Sequence, residues 1–136
     1  IDLSQLVEGL NHPEYKKEKV TKVQLVKYAG ASGDFNPLHT DDAFAQKIGL
    51  NGVIAHGMLI MGFLGEYVNK IANNEGQVID FKMRFGAMTF PEDEIVCKGI
   101  VKEKNKVDGK TEVVLKLFAV KDIDEVVGTG EAVIQF

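Results

Sequence analysis

Hydrophobic positions change their period once along this chain, close to residue 76. Upstream they cluster at helical spacings, and downstream they alternate. The strongest block is residues 56–72, where Met58, Leu59, Ile60, Met61, Phe63, Leu64, Tyr67, Val68 and Ile71 leave few polar positions before Glu66. A helix apolar on nearly every side is predicted to be buried. Gly62 and Gly65 weaken it by about 1 kcal/mol each relative to Ala, which points to close approach of a sheet or of a second chain. After Asn73-Asn74-Glu75-Gly76, residues 78–85, 94–102, 111–120 and 126–136 alternate, as strands do. Pro91-Glu92-Asp93, residues 104–110 and residues 122–125 read as the turns between them.

The first third is shorter-grained. Residues 14–20 read as a short, charged edge strand, and Thr21 as the N-cap of a helix carrying Val23, Leu25, Val26, Tyr28 and Ala29. Gly30, Gly33 and Pro37 end that helix in a structured loop. Residues 41–49 predict a second helix, with Asp41 and Asp42 at its positive end and Gly49 as its C-cap. The order is a strand, short helices, one long helix and four successive antiparallel strands. Such an order excludes a doubly wound parallel sheet. It predicts an α+β domain spanning residues 1–136, with an antiparallel sheet wrapped around one long buried helix.

Composition narrows the classes. A chain of 136 residues can bury a core without disulfides or metal. A net charge of −4 argues against a nucleic-acid partner. Cys97 is the only cysteine, so no disulfide framework or thiolate metal site is expected, and a reducing cytoplasm fits. No signal peptide or membrane-spanning run is read in the sequence. It opens on Ile1 rather than Met, which points to residues missing from its start.

Two segments carry chemistry. Tyr28-Ala29-Gly30-Ala31-Ser32-Gly33-Asp34-Phe35-Asn36-Pro37-Leu38-His39 sets a carboxylate and an imidazole five residues apart, across an Asn-Pro turn. Ala55-His56-Gly57-Met58 opens the long helix, where orphan backbone N–H groups and the helix dipole favour negative charge. Asp34 and His39 can share a water and move its proton, and burial of the loop would raise the pKa of Asp34. Gly57 N–H can polarise a carbonyl. Each residue also has a plain structural use: Asp34 as a turn cap, His39 as a loop donor, Gly57 as room for packing. His56 fits a role in fixing the loop or capping the helix, and Asn36 and Ser32 fit side-chain bonds to the loop backbone. His12, next to Pro13, reads as a surface residue. A metal site is the competing use of Asp34, His39, Asp41 and His56, but they lack His-x₃-His or His-Glu-x-x-His spacing. Gly30-Ala31-Ser32-Gly33 follows a helix, not a strand, so it is no nucleotide loop. There is no Gly-x-Ser-x-Gly elbow.

Residues 28–39 followed by Ile54-Ala55-His56-Gly57-Met58-Leu59-Ile60-Met61-Gly62 resemble the MaoC-like, R-specific enoyl-thioester hydratases and the related 3-hydroxyacyl dehydratases. The resemblance covers nearly the whole chain. It implies a hotdog fold and reversible interconversion of trans-2-enoyl and (3R)-3-hydroxyacyl thioesters of coenzyme A or acyl carrier protein. It implies Asp34, His39 and Gly57 as catalytic groups and no cofactor, because the thioester carbonyl supplies the acidity. Asn36, His56 and Met58 are the expected substrate contacts. Leu59, Met61, Phe63, Met83, Phe85 and Met88 are further candidates for the acyl pocket, and most of them fit better the core that a helix and sheet need simply to fold. Lys82, Lys98 and Lys102 are candidates for the carrier's phosphates, and a solvated strand face explains them equally well. A homodimer or larger even oligomer is expected, or a heterodimer with a non-catalytic relative. The chain departs from the family's Pro-x-x-Gly-Asp turn, having Phe90-Pro91-Glu92-Asp93, which alters the loop expected to border the substrate entrance. The rival readings are a hotdog thioesterase, which would release free thiol, and a thioester-binding subunit without turnover.

Overall fold

The computed structural model describes residues 2–122 and 124–136. The expected turn at 122–125 therefore falls partly outside the described residues, at Ile123. Five strands, β1 (Asn11–Lys16), β2 (Gln77–Phe85), β3 (Val96–Val107), β4 (Lys110–Lys121) and β5 (Glu125–Gln135), form one antiparallel sheet in the order β1-β3-β4-β5-β2. Helices α1 (Lys22–Ser32), α2 (Asp42–Lys47) and α3 (Gly57–Ala72) precede β2.

The α3 helix lies on the sheet as expected, but it is buried on one face only. Leu59, Ile60, Phe63, Leu64, Tyr67, Val68 and Ile71 join a core with Cys97, Val101, Val113, Leu115, Leu117, Ala132 and Ile134 from the strands. Met58, Gly62, Glu66, Asn69 and Lys70 are exposed. Gly65 faces the Phe81 ring of β2, whereas nothing lies within 4 Å of the position a Gly62 side chain would take. Apolar content alone did not distinguish burial by this chain's own sheet from an exposed apolar face.

The sheet corrects three expectations about the strands. β2 and β3 are not neighbours: β2 pairs with β5 at one edge, and β3 lies between β1 and β4. The segment 86–95 is thus a crossover and not a hairpin turn, because β5 returns to occupy the place beside β2. The β3–β4 turn is shorter than the expected 104–110. The register runs to Val107↔Lys110, and Asp108 and Gly109 both have positive φ, as a two-residue hairpin requires. β1 also begins and ends earlier than the expected 14–20. Residues 17–20 leave the ladder and bond the crossover instead, through Lys17 N–H to Ile95 O (2.9 Å) and Val20 N–H to Asp93 O (2.9 Å).

The crossover positions the site. Its Thr89 carbonyl accepts the Ala55 N–H at 2.8 Å, holding it beside the start of α3. Lys121, 5% exposed at its side chain, fastens it from β4. Its ammonium donates to Met88 O (2.6 Å) and Asp93 Oδ2 (2.9 Å) and faces the Phe90 ring. Asp93 Oδ2 also accepts the Phe90 N–H at 2.8 Å.

Candidate active site

The loop after α1 is built from side-chain bonds to its own backbone. Thr21 caps α1 by accepting the Gln24 N–H (3.0 Å). Gly33 ends the helix at φ +76°, a left-handed conformation that suits glycine. Ser32 Oγ donates to Tyr28 O (2.7 Å) and accepts the Asp34 N–H (3.2 Å). Asp34 Oδ1 accepts the Asn36 N–H (3.2 Å), and Asn36 Oδ1 accepts the Leu38 N–H (3.0 Å) as Pro37 opens the single turn Pro37–His39. Asn36 is exposed and its side-chain oxygen is used in this turn. This relay of Asx-type bonds decides where His39 emerges.

The three groups singled out from two distant segments come together. His39 Nδ1 lies 2.8 Å from Ile54 O. A carbonyl only accepts, so Nδ1 carries the proton, and in the neutral ring Nε2 presents its lone pair. That Nε2 is 3.9 Å from Asp34 Oδ2, beyond a direct hydrogen bond. His56 sits at the N-cap of α3 without a side-chain cap bond; its Nε2 donates instead to Asp34 O at 3.2 Å. Of its two expected structural uses, the geometry shows the tie to the loop and not the cap. Its ring stacks on His39 (centroids 3.8 Å apart) and meets Tyr28 edge-on at 4.8 Å. The burial expected for Asp34 is missing in the single chain: its side chain is 51% exposed.

A cavity of about 350 Å³ adjoins these groups, lined by Asp34, His56, Gly57, Met58, Phe85 and Thr89 among others. His39 and Asn36 are not part of that lining. Met58 stands at its rim, 56% exposed. Gly57 is the first residue of α3, where the helix provides no partner for its N–H. A side chain at Gly57 would lie 3.0–3.2 Å from the Phe85 ring, so close packing against Phe85 is one reason for glycine here. His56 Nδ1 and Thr89 Oγ1 are buried without a hydrogen-bond partner. Leaving such an atom unpaired costs about 1–3 kcal/mol.

Asp34, His39 and His56 also form a cluster whose potential ligand atoms lie within 4.8 Å of one another. The ring planes are only 24° apart in a stack. In-plane lone pairs of stacked rings do not converge on one ion at the roughly 2.0–2.1 Å that metal–imidazole bonds need. The arrangement suits proton transfer better than coordination. Sequence reasoning missed Thr89, the carbonyl of Ile54 and the Lys121 tie. A carbonyl is common to every residue, and the other two reach the site only through the crossover.

A five-stranded antiparallel sheet laid on one long helix is the hotdog fold. The model of the MaoC like domain matches residues 10–122, and the chain belongs to that hydratase/dehydratase family. It is 34% identical over 105 residues to a peroxisomal hydratase-dehydrogenase-epimerase of Neurospora crassa, covering 74% of this chain and 11% of that protein. It is 38% identical over 65 residues to the (R)-specific enoyl-CoA hydratase of Aeromonas caviae, covering 44% of this chain and 48% of the relative. The chain thus spans about a tenth of one curated relative and about half of the other. The solved R-hydratase PhaJ1 from Pseudomonas aeruginosa superposes with a TM-score of 0.85 at 25% identity, covering 96% of this chain and 82% of that one.

Proposed function

We propose that residues 1–136 act as one domain that reversibly hydrates trans-2-enoyl thioesters to (3R)-3-hydroxyacyl thioesters of coenzyme A or acyl carrier protein. The observation that carries the reading is the lock on His39. With Nδ1–H committed to Ile54 O, Nε2 alone is left to exchange a proton, and it faces Asp34 across a gap of 3.9 Å. A water bound between them is within reach of both groups.

The step requires one transferable proton on the pair. The member without it takes a proton from water as the water oxygen bonds to C3. The C2=C3 electrons move toward the thioester carbonyl, and Gly57 N–H stabilises the enolate oxygen. The member with the proton then delivers it to C2. The pair again holds one proton, now exchanged between its members, and transfer through the next water resets it. A preorganised donor such as Gly57 N–H is worth roughly 3–4 kcal/mol, and proton transfer by a placed side chain about 10²–10⁴-fold. Met58 is assigned to the acyl rim, His56 to holding the Asp34 backbone, and Asn36 to the turn that places His39. No cofactor takes part.

The same reading calls for a second copy. Met58, Phe85 and Met88 are exposed at the cavity, Phe35 is exposed next to Asp34, and Ile79 is exposed on β2, an edge strand. A partner along this edge covers them and supplies the burial Asp34 lacks. The expected assembly is a homodimer or larger even oligomer, with a heterodimer as its variant. Among the described residues no helix is long and apolar enough to cross a membrane, and a cytoplasmic site of action is proposed with the assembly.

Loss of enoyl absorbance with crotonyl-CoA, longer enoyl-CoAs and carrier-linked enoyl thioesters tests the function. Asp34→Asn and His39→Ala are expected to lower turnover 10²–10⁴-fold each. Full turnover in both variants refutes the dyad. Release of free thiol assigns the thioesterase reading, and binding without either reaction assigns a non-catalytic subunit.

A further inference from the structure

Tyr28 heads the segment that carries the dyad, yet no step of the hydration uses it. Its ring belongs to the last turns of α1, which Leu25 and Ala29 anchor at 0% and 1% exposure. The Tyr28 ring itself packs, partly buried, against the core. It meets the His56 ring edge-on, with centroids 4.8 Å and planes 62° apart. The other ring beside His56 is that of His39, stacked at 3.8 Å and 24°. Rings from α1, from the start of α3 and from the turn Pro37–His39 thus form one column, with His56 in the middle and His39 at its end.

A single hydrogen bond leaves an imidazole free to turn, because the His χ2 torsion is broad and roughly two-fold. His56 is held by one such bond, Nε2–H to Asp34 O at 3.2 Å, and its Nδ1 has no partner. His39 is held by Nδ1–H to Ile54 O at 2.8 Å. Each bond pins one ring atom, and the neighbouring ring fixes the plane, as stacked and edge-on aromatic packing does. The plane of His39 decides where Nε2 points, which is toward Asp34 Oδ2 at 3.9 Å. The same end of α1 holds the acid. Tyr28 O accepts the Ser32 hydroxyl, and Ser32 Oγ accepts the Asp34 N–H. The Asp34 backbone is therefore tied to Tyr28 on one side and to His56 on the other.

We propose that Tyr28 is a positioning residue for the hydration: its ring backs His56 and, through His56, holds the plane of His39 at the gap where the shared water binds. The inference rests on the hydratase reading. Tyr28 is not among the residues that line the cavity, so its ring should govern turnover and leave substrate binding nearly unchanged.

The test measures kcat and KM for crotonyl-CoA in Tyr28→Leu and Tyr28→Phe, each alone and combined with His39→Ala. Tyr28→Leu is expected to lower kcat about tenfold or more, since misplacing a reacting group by about 1 Å can cost about 10²-fold. KM should stay within about threefold. Tyr28→Phe keeps the ring and should keep turnover. On the His39→Ala background Tyr28→Leu should add no further loss, as for residues that act as a unit. Proton NMR reads the column without turnover. In the parent, the His39 ring signals should lie upfield under the His56 ring, with Overhauser contacts from Tyr28 to His56 and from His56 to His39. Those signals should move in Tyr28→Leu and stay in Tyr28→Phe. Absence of the ring-to-ring contacts in the parent overturns the proposal, whether or not the variants fold. So does turnover of Tyr28→Leu within about threefold of the parent, an equal loss in Tyr28→Phe, or an undiminished further loss on the His39→Ala background. A loss that lies in KM alone overturns it too. Ring signals that respond to Tyr28 as expected, in a protein that hydrates no enoyl thioester, keep the column and refute the hydratase reading.

Discussion

Gly57→Ala separates two uses of that glycine, packing and carbonyl polarisation. A methyl at this position lies 3.0, 3.1 and 3.2 Å from Cε1, Cδ1 and Cζ of Phe85. The ring must therefore give by a few tenths of an ångström. Phe85 is 57% exposed, so it can swing outward with modest loss, about 1–3 kcal/mol for overpacking. Replacing glycine near the start of a helix returns up to about 1 kcal/mol. The net loss of stability is about 0–3 kcal/mol, a fall in melting temperature of at most roughly 12 °C for a domain of this size. Activity is expected to fall far more. The methyl and the displaced ring both crowd the approach to the N–H, which Ala retains; the upper bound on this effect is the roughly 10²–10³-fold in turnover that outright loss of one such donor costs. The assay pairs thermal melting with crotonyl-CoA hydration, for the single variant and for Gly57→Ala/Phe85→Leu. In the double variant the smaller side chain relieves the crowding, so stability should recover while turnover stays low. Turnover within about threefold of the parent in the single variant refutes the oxyanion role. Joint recovery of stability and turnover in the double variant shows that Gly57 serves packing alone.

Lys121→Met strands Asp93, whose carboxylate is 19% exposed. Removing one partner of a buried pair costs about 3–5 kcal/mol, and denaturant titration should show that loss with part of it restored in Lys121→Met/Asp93→Asn; a change under about 1 kcal/mol refutes the clamp. Cys97 is buried, and burial pushes its thiol up to about 12, so a thiol reagent at pH 8 should label it only on unfolding; fast labelling of the native protein contradicts the packing. Burial lowers the His12 imidazole below its ordinary 6.5. The unfolded chain then binds the proton more readily, so stability should decline as pH falls through 6.5 toward the folded value, and His12→Gln should flatten that slope in melts across this range. Light scattering should find a dimer or larger even assembly; a folded monomer at micromolar concentration counts against the second copy over β2.

Local signals of one segment were legible in the sequence because the physics that acts on them is local. The Thr21 cap and the Gly33 stop mark α1, the apolar block marks α3, and the change to alternation marks the strands. So does the Asx-type relay from Ser32 to Leu38, which needs only short polar side chains next to their own backbone. The pairing of residues 28–39 with 54–62 was also legible, through resemblance and not through periodicity.

Tertiary structure alone decided the rest. Alternation says that a strand has two faces, but not which strand lies beside it, so β2 joined β5 and residues 86–95 became a crossover. The depth of Asp34 and the exposed side of α3 depend on what packs over them, which no single segment encodes. The tautomer of His39 depends on a carbonyl fifteen residues away, at Ile54. Thr89 entered the cavity only because the crossover passes the start of α3, tied there by its own carbonyl and by Lys121. The sequence determined which groups are available and how each loop turns. The distances between groups from different segments follow from the packing of sheet, helix and crossover, a property of the whole fold.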